Sequence, residues 1–225
     1  VVENLSDGDQ IALRANMTPL NEMDSITQRA PAVATLVTND TTPTLKGTAV
    51  AGTTVKLYDV ADDGTRLLVG STVASAKGTW SITSTLLTES THSFIATSTD
   101  SAGQISAPSV SFQLIVDITP PAKPAPAQIM DNAGDVTGAV SSGGVMDDPV
   151  PVIKGTGEAG AKVKIFDNGT QVGTAVVGAD GTWSYQPSTA LTEGNHSITA
   201  TLTDKAGNTS AASDATTFTL DTTPP

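Results

Sequence analysis

The sequence predicts an all-β protein, built as tandem Greek-key β-sandwiches in a linear array. Three observations carry that expectation. The chain repeats itself, its apolar residues alternate with period two, and turn signals fall at short, regular spacing between the alternating runs.

The repeat is visible in order along the chain. GTAVAGTTVKLYD (47–59) matches GTGEAGAKVKIFD (155–167), KGTWS (77–81) matches DGTWS (180–184), and THSFIATSTDSAGQIS (91–106) matches NHSITATLTDKAGNTS (195–210). A stiff acidic mark, LIVDITPP at 114–121 and FTLDTTPP at 218–225, closes each copy, with Asp117 and Asp221 separated by 104 residues. Counting back one period places a degenerate mark, NMTP, at Asn16. The chain therefore divides into residues 1–16, a tail of a preceding unit or a separate N-terminal segment, then residues 17–117, then residues 118–225, a second unit with the start of the next linker. A chain that opens on Val1 and stops on Pro225 reads as a piece of something longer. The second unit is longer before the IKG strand and the first is longer between that strand and the tryptophan, as expected where loops absorb length changes and strands do not.

Each unit reads as strands separated by turns. In AKVKIFD, Val163 and Ile165 face one way and Lys162 and Lys164 the other. HSITATLTD sets Ile198, Ala200 and Leu202 on one face, HSFIATSTD does the same with Phe94 and Ala96, and ATTFTLD alternates Phe218 and Leu220 against threonines. DNGTQ (167–171) is an Asn-Gly hairpin turn, in which both central residues need positive φ. GADGTWS is an Asp-Gly turn into a strand, and Gly207 in DKAGN closes a loop in the left-handed region. About seven short strands per 100 residues is the pattern of an immunoglobulin-type sandwich. With no cysteine to pin the sheets, Trp80 and Trp183 are the expected core anchors.

Composition narrows the function. The 225 residues carry 23 acids against 11 bases, a net charge of −12. Nucleic acid is excluded as a partner, since phosphate binding needs clustered Lys and Arg. Anionic membranes are disfavoured on the same ground, and no run of 18 apolar residues exists to insert in a bilayer. A cation is the natural counterpart. The only histidines, His92 and His196, stand at matching positions at the start of a strand, where a structural role outweighs acid–base chemistry. No nucleophile elbow, HExxH or phosphate loop is present, so the chain is expected not to be an enzyme. As a carbohydrate-binding module it would need exposed aromatic platforms, but Trp80 and Trp183 recur where core packing puts them, and Tyr58 and Tyr185 are not equivalent. A spacer within a secreted glycan-active protein stays open as the alternative.

GTGEAGAKVKIFDNG, DGTWSY, LTEGNHSITATLTDKAGNTS and DTTPP together resemble the tandem bacterial immunoglobulin-like repeats of giant surface adhesins exported by type I secretion, over about residues 17–225. The resemblance implies a secreted stalk on the bacterial cell surface, stiffened by Ca²⁺. Its partners are neighbouring repeats of the same chain and, through a distal tip, a host or abiotic surface, in cell adhesion or biofilm formation. The fragment itself is expected to be monomeric.

Strand order then places the acids. The loop between the last two strands lies at the end where the chain enters, which puts Asp204 near Asp117 of the preceding unit; Asp100 is the matching residue of unit 1. Asn39 and Asp40, with Glu89, are expected near Asp117. Carboxylates gathered this closely repel, and a hard divalent ion reverses that sign. Pro120 and Pro121 hold the approach extended. A second cluster, Asp131, Asn132, Asp135, Asp147 and Asp148, lies in IMDNAGDVTGAVSSGGVMDDP (129–149), either as a glycine-rich solvated loop or as one whose acidic ends close on an ion. Unit 1 carries a shorter version with Asp24. At Asp221, with no next unit, a half-built site is expected.

Overall fold

A computed structural model describes residues 11–12, 36–135 and 137–223. Asn16 and Asp24 lie outside these. The chain forms two compact units, Val1–Ile118 and Thr119–Pro225. No helix among the described residues is long and apolar enough to cross a membrane.

Unit 1 contains β1 (Ile11–Ala12), β2 (Leu36–Thr38), β3 (Thr44–Thr48), β4 (Thr54–Val60), β5 (Arg66–Val73), β6 (Thr79–Thr83), β7 (Ser90–Thr99) and β8 (Phe112–Val116). One sheet has the order β1-β3-β6 and the other β2-β8-β7-β4-β5. Alternation decides which faces meet. Val55 and Leu57 on β4, Phe94 and Ala96 on β7, and Leu114 and Val116 on β8 pack against Leu45, Trp80 and Ile82 of the smaller sheet.

Unit 2 contains β9 (Gln128–Asp131), β10 (Gly138–Val140), β11 (Gly144–Met146), β12 (Val152–Thr156), β13 (Lys162–Asp167), β14 (Thr170–Val176), β15 (Thr182–Tyr185), β16 (Gly194–Thr203) and β17 (Thr216–Leu220). The sheets run β10-β9-β12-β15 and β11-β17-β16-β13-β14. The core is Ile129, Ile153, Val163, Ile165, Trp183, Ile198, Leu202, Phe218 and Leu220. Trp183 lies over Gly155, where a Cβ would stand 2.4 Å from the indole Cζ2, so this strand position accepts only glycine without moving the ring.

The all-β sandwich reading holds in both units, with the tryptophans buried as expected. The Asn-Gly turn is also as read, with φ of 48° at Asn168 and 80° at Gly169. The segment 129–149, read as a loop, is different: it holds the β9–β10 hairpin and β11. Its alternation is too short to stand out, and its strands gain their partners from β12 and β17, far along the chain. The connector into unit 2 is also docked. Pro121 and Pro124 are buried, Lys123 Nζ lies 2.7 Å from Asp214 Oδ1, and Thr216 Oγ1 donates to the Ala127 carbonyl at 2.6 Å.

Candidate cation-binding ends of the units

Strand pairing decides which acids share an end. In unit 1, Thr38 and Ser90 both stand opposite Val116, on either side of β8. Asn39, Glu89 and Asp117 adjoin those three residues directly and Asp40 is one residue further on, so all four lie at one end. Asp117 N donates to the Thr38 carbonyl at 2.9 Å, and Asp40 N donates to Thr38 Oγ1 at 3.0 Å. Asp40 Oδ1 accepts from Thr42 N at 2.8 Å, an exposed Asx turn.

Unit 2 repeats the pattern and adds to it. Met146 and Gly194 flank Leu220, which brings Asp147, Asp148, Glu193 and Asp221 to the same end. The β9–β10 hairpin delivers Asp131 there too. Asn132 N donates to Asp148 Oδ2 at 3.0 Å, and Asp148 Oδ1 accepts from Val150 N at 2.9 Å. Asp131 Oδ1 accepts from Ala133 N at 3.0 Å. Both carboxylates are buried, at 5% exposure for Asp131 and 3% for Asp148. Asp147 is exposed and folds over Gly134, where a Cβ would come within 2.1 Å of Oδ2; Asp135 is exposed in the same loop. Hydrogen bonds from the Thr223 side chain and backbone hold the Asp221 carboxyl below the ordinary carboxylate range. Thr222 N donates to both oxygens of Glu193, at 3.3 and 3.2 Å, and its hydroxyl donates to Oε1.

Asp204 lies at the other end of unit 2. It follows β16, whose ten residues span roughly 30 Å from Gly194. Its Oδ1 accepts from Gly207 N and Asn208 N, each at 2.8 Å, and its Oδ2 accepts from Asn208 Nδ2 at 2.9 Å. Asp100 does the same work in unit 1 with Ala102 N and Gln104 N, each at 2.9 Å. These carboxylates brace their own loops.

The donor set is oxygen throughout, which fits a hard cation such as calcium rather than zinc or copper. Among the described residues, no three His, Cys, Asp or Glu side chains are arranged to hold a metal ion as they stand. The residues that sequence reasoning missed are Asp59 and Asp167. Each meets a histidine 33 or 29 positions away, and only the matched recurrence of Asp and His in both units signals the pairing.

The bacterial Ig-like domain family matches residues 20–118 and again 123–222. Among solved structures, the chain is similar to a biofilm associated protein BSP domain, at 24% identity and a TM-score of 0.33 over 84% of this chain and 29% of that one. It is similar to the fibronectin(III)-like modules of Clostridium thermocellum CbhA, at 17% and 0.47 over 84% and 91%. A tetra-tandem repeat in the extending region of a large adhesion protein matches at 20% and 0.35 over 82% and 47%. The chain thus spans less than a third of the first of these and about half of the last. No curated protein matches it.

Proposed function

The chain belongs to the bacterial Ig-like domain family, in two tandem copies, and we propose that it is a stalk segment of a large secreted surface adhesin. Its role is mechanical: reach, stiffness and resistance to proteolysis, in support of a distal tip that binds a host or abiotic surface. Repeats of this kind contact mainly their neighbours, so length grows with copy number.

The observation that carries the reading is the gathering of carboxylates at one end of each unit, two of them buried in unit 2. Like charges gathered at one end oppose folding unless something offsets them. Calcium would be held by Asp131, Asp147 and Asp148 in unit 2, by Asn39, Asp40 and Asp117 in unit 1, and by Asp221 once a following module supplies its share. Asp204, at the opposite end of unit 2, is proposed as a further ligand. Asp204 keeps lone pairs beyond its three loop bonds. The ion supplies positive charge and a rigid oxygen cage; the chain supplies the oxygens and a proline-stiffened connector. Inside a cell, where calcium is scarce, the joint would stay loose. Outside, at millimolar calcium, sites with Kd on the order of 10⁻⁴–10⁻³ M fill.

Small-angle scattering with and without chelator tests the reading. The maximum dimension should fall, or the distance distribution broaden, when calcium is removed, and Asp131→Asn with Asp148→Asn should weaken calcium binding by calorimetry. An unchanged scattering profile together with no measurable calcium uptake overturns it.

A further inference from the structure

Tension on a stalk runs along its chain, so the first and last strands of a unit receive the load. In unit 2 the connector meets β17 near its start. There Thr216 Oγ1 donates to the Ala127 carbonyl at 2.6 Å, and Lys123 Nζ lies 2.7 Å from Asp214 Oδ1. β17 then runs to Asp221 at the other end. Load therefore enters unit 2 beside the start of β17 and leaves at its finish. The connector feeds β9, which descends towards Asp131 at the Asp221 end. β10 returns antiparallel to β9, and β11 descends again, parallel to β17.

The strands that take the load are held unequally. β9 joins the body of the sandwich through Gln128, Ile129 and Met130, opposite Lys154, Ile153 and Val152 of β12. β10 stands at the edge of the sheet beyond β9 and adds no pairing to β12 or β15. β17 is gripped on both flanks, by β16 from Thr216 to Leu220 and by β11 from Phe218 to Leu220. Pulled from opposite ends, β9 is the weaker hold.

Loss of β9 leaves most of the core in place. It withdraws Ala127 and Ile129, while Ile153 and Trp183 still face Val163, Ile198 and Phe218 across the sheets. The β9–β10 hairpin has both its ends on one side, so it unzips pair by pair, Ile129 from Val140, then Met130 from Ala139, then Asp131 from Gly138. Load then reaches β11. It is drawn by its start while β17 is drawn by its finish, and because the two strands are parallel their whole ladder is sheared at once. That ladder, Gly144–Met146 against Phe218–Leu220, is lengthened at both ends. Gly143 N donates to the Thr217 carbonyl at 2.7 Å, Thr217 N donates to Ser142 Oγ at 3.2 Å, and Asp221 N donates to the Met146 carbonyl at 3.0 Å. Unit 1 has the same parallel pair in β2 and β8, with Asp117 N on the Thr38 carbonyl at 2.9 Å.

We propose that unit 2 yields to tension in two steps. The connector and the β9–β10 hairpin come away first, as a reserve of about 20 residues and roughly 7 nm of extended chain. The β11–β17 pair keeps the sandwich shut meanwhile, and the sandwich opens only when that pair shears. The first step reverses when a short local hairpin reforms on β12, which is fast beside refolding of a whole sandwich, so the chain regains its length once the pull ends. This rests on the stalk reading only in that the chain bears load; the order of the steps follows from the strand pairing.

Pulling the whole chain in optical tweezers tests the order. Ile118→Cys and Pro225→Cys, in a chain with no cysteine of its own, attach handles that load unit 2 alone. The expected trace lengthens first by about 7 nm and then, at higher force, by about 25 nm. Ile129→Ala should lower the first force or abolish that step, and leave the second force unchanged, because Ile129 has already left the fold when β11 shears. Ser142→Ala should lower the second force and spare the first. A single lengthening of about 32 nm overturns the two-step order, as does an Ile129→Ala chain whose larger step falls in force. The handle-bearing chain decides the first point whether or not the further variants fold well. Scattering and calcium uptake test the stalk reading separately, so either result can fail without the other.

Discussion

Unit 1 packs Phe94 on its long strand against Leu114 on its last strand. Unit 2 packs Ile198 and Phe218 at the same two places, so the large ring has moved across the sheet. Total volume is nearly kept and all four side chains are buried at 2% exposure or less. The site tolerates either arrangement because a sandwich core requires filled space between the sheets, not a particular owner of each atom. The same holds at the tryptophans with a different result. Trp183 Nε1 donates to the Thr156 carbonyl at 3.3 Å, whereas Trp80 Nε1 is buried without a partner among the described residues. It holds again at the turn before each tryptophan. Asp180 Oδ1 accepts from Thr182 N at 3.0 Å in unit 2; in unit 1 the matching residue is Lys77, and Ser75 Oγ accepts from Thr79 N at 3.2 Å instead.

The core swap offers the largest break. Ile198→Phe alone sets two phenyl rings in one layer and should cost about 1–3 kcal/mol by overpacking. Phe218→Leu alone should cost about 1–2 kcal/mol through the cavity it leaves. The double variant copies unit 1 and should cost under about 1.5 kcal/mol. Urea unfolding followed at resonances of unit 2 measures all three, and a double variant whose cost equals the sum of the singles would show that the two sites are uncoupled.

The tryptophans give the next effect. Trp→Phe removes similar volume in each unit, but at Trp183 it also removes the bond to the Thr156 carbonyl, while at Trp80 it removes a donor without a partner among the described residues. Trp183→Phe should therefore cost about 1 kcal/mol more than Trp80→Phe, by the same unfolding measurement in each unit. Equal costs would mean that the indole bond in unit 2 carries no net weight.

The smallest effect is at the turns. Hydrogen bonds from the Thr182 backbone and hydroxyl lower the Asp180 carboxyl below its ordinary range. A group lowered on folding stabilises above its unfolded value, and the contribution fades as pH falls through the lowered one. Below about pH 4 the Thr182 amide resonance should move, and that of Thr79, held by a serine hydroxyl, should not. Asp180 is fully exposed, so the change belongs to the turn and not to the melting temperature.

Much of this was legible because it is local. HSITATLTD announces its inward face through Ile198, Ala200 and Leu202, and Asn168-Gly169 announces its turn. The hairpin inside 129–149 was not legible, since a four-residue strand such as β9 carries too few alternations to rise above a glycine-rich loop. The acids were legible as residues but not in their allegiances. Asp131 and Asp148 meet through Asn132, whereas Asp204 spends its oxygens on its own loop.

The sequence by itself determined the repeat, the period of each long strand, the turns and the sign of the charge, because each depends on neighbours along the chain. Only the tertiary structure decided that Asp59 meets His92 and Asp167 meets His196, and that β9 carries Asp131 to the end of unit 2 that holds Asp221. Those facts depend on the register between strands dozens of residues apart, and that register is set by how two complete sheets close over a common core.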